Sequence, residues 1–362
     1  MTRAREAMLR LFRVGDDRVA AIRPRPASRP IKSRLALALL LLPLESAAQP
    51  STLKGCAPAP TSRLTINVKD KGAKGDGQTD DTAALQRAID AVGGKGGTVF
   101  VPDGSYMINA VGPKQLSLKS AMTLKLSADA TLKAIPNAEK AYSILTISAV
   151  SDVAVVGGTL LGDRDEHQGS TGEWGMGIMI MEGAERITID RVTSRKMWGD
   201  GFYVGSGKNV TFCSVVADHN RRQGLSITHA HDVTVTDSVF SNTRGTDPSA
   251  GIDLEPDRAD QTITKVLIRR SKFLRNAGPG ILIAAQKRAQ NISDVAISNN
   301  YFQGTPPIKI KYAPGVLDSA ICHNRYVVPR DTSRDLSAVG GSSGEITVTA
   351  GCGEVGIRKR QK

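Results

Sequence analysis

The sequence predicts an all-β chain that folds as a right-handed parallel β-helix, a solenoid of stacked coils, with an N-terminal capping helix. The first observation is a pattern, x-Gly-aliphatic-x-aliphatic-x, that recurs at intervals of 23 to 29 residues. Its clearest copy is 250–255 (AGIDLE), and the other copies begin at Met176, Asp200, Gln223, Pro279 and, in degenerate form, Pro306. The second observation is another short alternating strand after each copy, for example 187–189 (ITI) and 233–235 (VTV). Strand-containing repeats of this length are typical of solenoids.

The alternation within each copy predicts which side chains face the interior. Successive side chains of a strand point to opposite faces, so the third and fifth positions fill the core and the fourth and sixth point outward. Val, Ile and Thr dominate the region and no 3.6-residue period is present, which disfavours helical repeats. Asn220, Asn242 and Asn276 fall where the coils are expected to turn.

A single helix is predicted before the first coil. Residues 79–81 (TDD) offer an N-cap, and 93–94 (GG) end the segment. Between them an apolar face is formed by Leu85, Ala88, Ile89 and Val92. Because the open end of a solenoid exposes core side chains and unpaired strand groups, we expect this helix to cover it.

The remaining sequence divides by composition. Residues 1–48 are predicted to be a targeting segment, since basic residues precede the apolar run 35–42 and 46–48 (SAA) resembles a cleavage site. The run is too short to span a membrane. Residues 49–63 are Pro/Ser/Ala-rich and are predicted to be a linker. A single β-helix domain is predicted over 64–355, with the cap and first coil at 64–110, the coils at 111–330 and a C-terminal coil or cap at 331–355. A basic tail, 356–362, ends the chain.

The charge fits an anionic partner such as an acidic polysaccharide, and the cysteines fit the export predicted from residues 1–48. The 362-residue chain carries a net charge of +13. Removing 1–48 leaves 38 Lys/Arg and 31 Asp/Glu, a net charge of +7, which suits an acidic polysaccharide. No nucleic-acid recognition motif is present. Export, to the periplasm or the exterior, permits disulfides, and Cys322 and Cys352 are the preferred pair because they lie about one coil apart.

Stacking the copies brings acidic residues onto one external face. Asp253 and Glu255 occupy the fourth and sixth positions of one strand, with Cα atoms roughly 6.6 Å apart. That spacing allows the carboxyl separation of about 5–9.5 Å used in glycoside hydrolysis, in which one carboxyl donates a proton and the other activates water. We therefore predict Asp253 and Glu255 as acid and base, assisted by Asp200 two coils earlier. The alternative is that they are ordinary polar residues of a solvated sheet face.

Residues around this pair are predicted to bind substrate. The set comprises Tyr203, Trp174, Trp198, Arg222, Gln223, Asp257 and Lys309. The two tryptophans offer faces that stack on sugars, although packing of a loop on a coil explains them equally well. Arg222 and Lys309 suit a uronate carboxylate, or are simply solvated. An insertion that contains 163–167 (DRDEH) and Glu173 is placed to form one wall of a groove.

The N-terminal motifs resemble the pectate lyase superfamily. The resemblance is carried by 67–70 (NVKD), 75–77 (GDG), 79–81 (TDD), the helix and 96–102 (GGTVFVP), and it continues through 162–165 (GDRD) to about residue 330. It implies a right-handed parallel β-helix with a capping helix. The superfamily includes rhamnogalacturonase-like hydrolases, alginate C5-epimerases and phage depolymerases, and also non-catalytic binders, so the resemblance alone does not fix the chemistry.

Two catalytic motif sets of the superfamily are incomplete here. Of the polygalacturonase motifs, 198–201 (WGDG) keeps only the Asp of Asn-Thr-Asp, while Gln223, Ala250 and Leu282 stand where the second Asp, the His and the Arg are expected. The epimerase motif Tyr-Gly-Phe-Asp-Pro-His-Glu aligns with 200–206 (DGFYVGS), which lacks its Asp and His.

The sequence therefore predicts an exported carbohydrate-active enzyme that hydrolyses glycosidic bonds of a polysaccharide, with no cofactor and no metal site. The first alternative is a uronate lyase or C5-epimerase. It would use Tyr203 or Lys309 as base, and Ca²⁺ held by Asp253, Glu255 and Asp257 could neutralise the substrate carboxylate. The second alternative is a non-catalytic glycan-binding or surface protein.

Overall fold

A computed structural model describes residues 56–58, 60–285, 291–311, 321–327 and 345–348. The chain divides into two units, Met1–Thr52 and Leu53–Lys362, and all described residues belong to the second unit. The predicted targeting segment 1–48 and the basic tail 356–362 lie outside them. The domain boundaries drawn from the sequence remain predictions.

Three sheets built mainly of parallel strands form the body of this unit, and each coil between residues 97 and 311 contributes one strand to each sheet. In the first sheet, strands pair in the order β1 (Thr65–Asn67), β3 (Gly97–Val101), β6 (Met122–Leu126), β9 (Ser151–Val156), β12 (Ala184–Asp190), β15 (Gly207–Cys213), β18 (Ala230–Thr236), β21 (Ile263–Arg269), β24 (Ile292–Ser298), β27 (Ile321–Cys322). In the second sheet the order is β2 (Asp76–Asp80), β4 (Gly104–Ile108), β7 (Ala130–Ala134), β10 (Thr159–Leu161), β13 (Thr193–Arg195), β16 (Val216–Asp218), β19 (Val239–Ser241), β22 (Lys272–Leu274), β25 (Tyr301–Gln303), β28 (Asn324–Val327) and the antiparallel β29 (Glu345–Val348). In the third sheet it is β5 (Leu116–Ser117), β8 (Ala141–Ser148), β11 (Trp174–Met181), β14 (Phe202–Val204), β17 (Leu225–Ile227), β20 (Ile252–Leu254), β23 (Ile281–Ala284), β26 (Ile308–Lys311). This is the predicted right-handed parallel β-helix.

The repeat pattern sets the register of the third sheet. Asp253 pairs with Ser226 on one side and Leu282 on the other, so the fourth positions of successive copies lie in one row. The third and fifth positions, such as Ile252 and Leu254, are fully buried in the core, as the alternation predicts. Rows of apolar side chains fill the interior because equivalent positions stack at each coil.

An aromatic stack reinforces the core behind the second sheet. The rings of Phe240, Phe273, Phe302 and Tyr326 follow one another with centroids 5.4, 4.7 and 4.9 Å apart. All four side chains are buried. The three phenylalanines are the central residues of three-residue strands, and Tyr326 pairs with Phe302 from the four-residue β28, so the register of that sheet places the four rings in one column.

Asparagine side chains satisfy the backbone at the corners. The Asn220 carboxamide accepts from the Met197 N–H and donates to the Ser194 carbonyl. Asn276 does the same two coils further along, with the Thr243 N–H and the Phe240 carbonyl. Both side chains are buried, and a buried backbone group without a partner costs free energy. The predicted role of these two residues at corners is confirmed.

The helix predicted from the sequence is present as α1 (Thr82–Val92), and its apolar face, Leu85, Ala88, Ile89 and Val92, is buried. A 3₁₀ turn (Val68–Lys71) precedes α1, and a second lies at Gly112–Lys114. The helix packs against β1 and β3 of the first sheet, β4 of the second and β5 of the third. Its function as a cap over the open end remains a prediction.

Part of the predicted linker is attached to the β-helix. Cys56 forms a disulfide with Cys213 at the end of β15, 157 residues along the chain. The Ala57 N–H donates to Asp190 Oδ2 and the Ser62 N–H donates to the Gly96 carbonyl. Cys322 is also disulfide-bonded, and its expected partner Cys352 lies outside the described residues.

Replacing Phe273 by Ala is expected to destabilise the protein by about 3–5 kcal/mol, because it leaves a cavity between two stacked rings. Chemical denaturation followed by circular dichroism measures the change. Val239→Ala on the outward side of the neighbouring strand is the control and is expected to cost less than half as much. Equal effects of the two substitutions would contradict the stacked arrangement.

Candidate functional site

The row of fourth positions on the third sheet points away from the core but is not an open surface. Tyr203 is 5% exposed, and Ser226, Asp253 and Leu282 are each 2% exposed. The alternative of an ordinary solvated sheet face is therefore wrong for Asp253, whereas Lys309 at the end of the row is exposed. The sequence predicted the direction of these side chains, but not their burial. Polar groups placed there require partners within the protein.

The carboxyl groups of Asp253 and Glu255 are in contact with each other. Asp253 Oδ2 accepts a hydrogen bond from Gln223 Nε2 (2.8 Å), and the Asp253 carboxyl is in hydrogen-bonding contact with Glu255. Burial and the charge of Glu255 raise the pKa of Asp253 well above its usual range, despite the opposing effect of Arg222. Two carboxylates in contact cannot both ionise freely. Burial and the neighbouring carboxylate therefore both favour the protonated form of Asp253. The hydrogen-bonding contact also brings the two carboxyls closer together than the expected separation of about 5–9.5 Å.

Asp200 lies beside this pair, as predicted, and is fully buried. Its Oδ2 accepts from Ser226 Oγ (2.8 Å), and its Oδ1 lies 3.5 Å from Arg222 Nε. Burial raises the pKa of Asp200 to about 6, although Arg222 and the Ser226 hydroxyl act in the opposite direction. Neither Asp200 Oδ1 nor Asp253 Oδ1 has a hydrogen-bond donor.

Arg222 is the cation at the centre of the site. Burial alone would lower the pKa of its guanidinium, but the charges of Asp200, Glu173 and Asp253 raise it above the ordinary value. Arg222 also counteracts the burial-driven rise in the pKa of Asp257, which places that carboxyl in the same environment. We refer to Asp200, Asp253, Glu255 and Asp257 around Arg222 as the acidic cluster.

Trp174 forms the accessible rim of the acidic cluster. Its side chain is 43% exposed at the start of β11. The ring lies 5.9 Å from the Tyr203 ring and 5.6 Å from the Arg222 guanidinium. Tyr203 is itself buried, its hydroxyl lies 3.4 Å from Thr228 Oγ1, and burial raises its pKa. The structure thus brings together Trp174, Arg222 and Tyr203 with the predicted carboxylates.

Three predicted substrate-binding residues have other surroundings. Gln223 is fully buried, and its amide bridges Asp253 Oδ2 and the Ala250 N–H, so it holds a carboxylate in place and has no free group for a sugar. Lys309 is exposed on β26, and Leu282 lies between it and Asp253 in the row. Lys309 therefore does not neighbour the acidic cluster.

Both faces of the Trp198 ring are covered by neighbouring side chains. Of the two roles considered for this residue, packing of a loop on a coil is therefore the correct one. The His167 ring stacks on the Trp198 ring at 4.0 Å, and the Arg221 guanidinium lies 3.8 Å from the ring centre. Two groups this close to the centre must occupy opposite faces, so no sugar can stack there. His167 Nδ1 is bonded to Asp163 Oδ2 (2.9 Å), four residues earlier in the same insertion, which orients the His167 ring.

Sequence reasoning did not single out two residues that shape the site. Ser226 donates to Asp200, and Thr228 contacts Tyr203. Both residues occupy outward positions of the copy that begins at Gln223, which lies between the copies that contain Tyr203 and Asp253. A column-by-column search for any polar side chain would have found them, whereas the search for charged groups did not.

Among the residues that the structure describes, no group of three or more His, Cys, Asp or Glu is arranged to hold a metal ion. The same residues contain no helix that is long and apolar enough to cross a bilayer.

Comparison with known families shows the family to which this chain belongs. The family model for rhamnogalacturonase A/epimerase, pectate lyase-like proteins matches residues 65–305. The chain belongs to this family. The match covers most of the β-helix, including every member of the acidic cluster, and confirms the resemblance found in the sequence.

The proteins that this chain resembles have names of different kinds. Mannuronan C5-epimerase AlgE4 of Azotobacter vinelandii is 35% identical over 49% of this chain and 34% of its own length. Plasmin and fibronectin-binding protein A of Streptococcus pneumoniae is 30% identical over 66% of this chain and 31% of its own length. An exopolygalacturonase from Thermotoga maritima superposes with a TM-score of 0.50 at 14% identity, over 75% of this chain and 80% of that chain. The chain spans less than half the length of the curated relatives it matches.

Asp200→Asn is expected to change how stability depends on pH. Because folding raises the pKa of Asp200 from 3.8 to about 6, the folded wild type binds this proton more tightly than the unfolded chain. The contribution of Asp200 to the free energy of unfolding is fully present below about pH 4. It falls by about 2–3 kcal/mol as the pH rises through 6. The amide cannot titrate, so the stability of the variant relative to wild type should rise between pH 4 and 7.

Denaturant unfolding at several pH values measures this difference. Asp129→Asn, at an exposed position, is the control and should run parallel to wild type. Parallel curves for Asp200→Asn as well would contradict the assigned pKa.

Gln223→Met is expected to destabilise the fold by about 1–3 kcal/mol, because Asp253 Oδ2 and the buried Ala250 N–H each lose their partner. Thermal unfolding checks the loss. The exposed Gln78→Met serves as control and should change stability by less than about 0.5 kcal/mol.

Proposed function

We propose that this protein is an exported polysaccharide-active enzyme that hydrolyses glycosidic bonds at the acidic cluster. The observation that carries the proposal is the contact between two carboxyls in different surroundings: Asp253 is buried, with a pKa raised by burial and by the charge of Glu255, and Glu255 is more exposed. Glycoside hydrolysis requires one carboxyl that gives up a proton and one that is ionised, and it works when the environment separates their pKa values. Few other side-chain combinations perform both steps.

In the proposed reaction Asp253 protonates the leaving glycosidic oxygen. Glu255 lies just beyond the end of β20 and activates the attacking water. For both to act, the Glu255 carboxyl must move away from Asp253 when a sugar enters, and its position after the strand end permits that movement. Asp200 and Arg222 set the local charge, and Trp174 offers an exposed ring for stacking against a pyranose.

Elimination or C5-epimerisation is the second candidate, and the match to a mannuronan C5-epimerase favours it. The local chemistry favours hydrolysis instead. The raised pKa of Tyr203 lowers the fraction of phenolate that is present to abstract a proton, and Lys309 is separated from the cluster by Leu282. Arg222 is already engaged by carboxylates of the protein and has little capacity to neutralise a substrate carboxylate.

Export is supported by the cysteine chemistry. Cys56 and Cys213 are joined, and disulfides persist in oxidising compartments such as the periplasm or the exterior. A polysaccharide substrate is found in the same places. Secreted or periplasmic localisation is therefore part of the proposal.

Asp253→Asn and Glu255→Gln are each expected to reduce the release of reducing ends from a responsive polysaccharide by at least about a hundredfold, since each removes a proton-transfer step. The measurement is a reducing-end assay over a panel of neutral and acidic polysaccharides. Ultraviolet absorbance of the products distinguishes hydrolysis, which gives none, from elimination, which creates an unsaturated sugar.

Asp257→Asn and Trp174→Ala are expected to raise KM more than they lower kcat, because these residues lie at the accessible rim. Lys309→Ala is the control at a row position away from the cluster and should be unchanged. Wild-type turnover in both Asp253→Asn and Glu255→Gln would rule out the assigned roles, and a proton–deuterium exchange signal without chain cleavage would favour epimerisation.

A further inference from the structure

We infer that the second sheet carries a separate, non-catalytic binding site for an acidic polysaccharide, in a groove formed by the last coils. The groove has a volume of about 670 Å³ and lies across β22, β25 and β28. No residue of the acidic cluster lines it, since that cluster belongs to the third sheet and its adjoining loops. That the ligand is a polysaccharide rests on the proposed function. The location of the site and its preference for negative charge rest on the groove alone.

The register of the second sheet sets the groove's floor. Lys272, Tyr301 and Arg325 are paired in register on adjacent strands, so their side chains form one outward row. Neighbouring coils are about 4.8 Å apart, which places the two cations about 10 Å from each other with the aromatic ring between them. Leu274 and Gln303 form the next outward row.

The chemistry of the lining fits a charged sugar chain. Lys272, Arg325 and His323 are exposed, and none of the described residues that line the groove is Asp or Glu. The Arg325 guanidinium lies 5.6 Å from the Tyr301 ring, and the Tyr301 hydroxyl lies 3.3 Å from Gln303 Oε1. Cations bind carboxylates, an aromatic face stacks on a pyranose, and carboxamides bond to hydroxyl groups.

A site remote from the carboxylates has a clear physical use on a polymer. A chain that is held at two points dissociates more slowly than one held at a single point, because the second contact forms at high effective concentration. The groove therefore retains the protein on a long acidic polymer while the acidic cluster acts on it. Short oligosaccharides cannot span both sites and gain nothing.

The test measures binding to polygalacturonate and to its methyl-esterified form, which has the same backbone without the charges. Binding is measured in the full-length Asp253→Asn background, so that substrate is not consumed. Lys272→Ala combined with Arg325→Ala is expected to raise the Kd for polygalacturonate about tenfold or more. Tyr301→Ala should raise it about fivefold, whereas Tyr301→Phe should leave it within twofold.

Lys125→Ala is the matched control, because it removes an exposed lysine from the first sheet. In otherwise wild-type protein, the groove variants should keep their kcat on short oligosaccharides and lose rate on the long polymer only. Unchanged Kd in the double variant would overturn the inference, as would equal loss in Lys125→Ala. Equally tight binding of the esterified polymer, or of a single-stranded oligonucleotide, would also overturn it.

The result is independent of the proposed catalytic function. If no polysaccharide is cleaved but binding still depends on Lys272, Arg325 and Tyr301, the catalytic proposal fails and the groove stands. If a polysaccharide is cleaved and these residues do not affect binding, the groove is wrong and the catalytic proposal stands.

Discussion

Every feature of this protein depends on the in-register pairing of parallel strands from one coil to the next. A one-residue shift would turn a strand's aliphatic side chains outward and its polar side chains into the core. The third sheet shows the consequence most clearly, because Tyr203, Ser226 and Asp253 lie in one row through pairing alone. Residues 50 positions apart in sequence thus become neighbours without any special loop.

The buried carboxyls of the acidic cluster lower the stability of the folded protein. Asp200 and Asp253 are buried with raised pKa values, and each has an oxygen without a hydrogen-bond donor. Arg222, Ser226 and Gln223 offset part of this cost. Buried carboxylates that remain only partly satisfied are more typical of functional sites than of structural ones, because a purely structural position is better filled by an apolar side chain.

The insertion between coils decides which part of the cluster is accessible. His167, Asp163 and Arg221 fix Trp198 in a closed stack. Trp174, at the end of the same insertion, remains exposed beside Arg222. Two tryptophans that each lie two residues before a copy of the repeat pattern therefore have different roles: one anchors a loop and the other lines the opening. The distinction follows from what covers each ring, which no local pattern encodes.

The sequence by itself determined the coil repeat, the inward aliphatic rows, the outward direction of Asp253 and the position of α1, because all of these follow from local periodicity. It also brought Asp200 and Asp253 into one neighbourhood through the repeat interval. Only the tertiary structure decided that Asp253 contacts Glu255, that Gln223 is a buried bridge, that Trp198 is covered and that Cys56 joins Cys213. Those outcomes depend on rotamers, on loop packing and on contacts between distant segments, and side-chain spacing along one strand does not fix any of them.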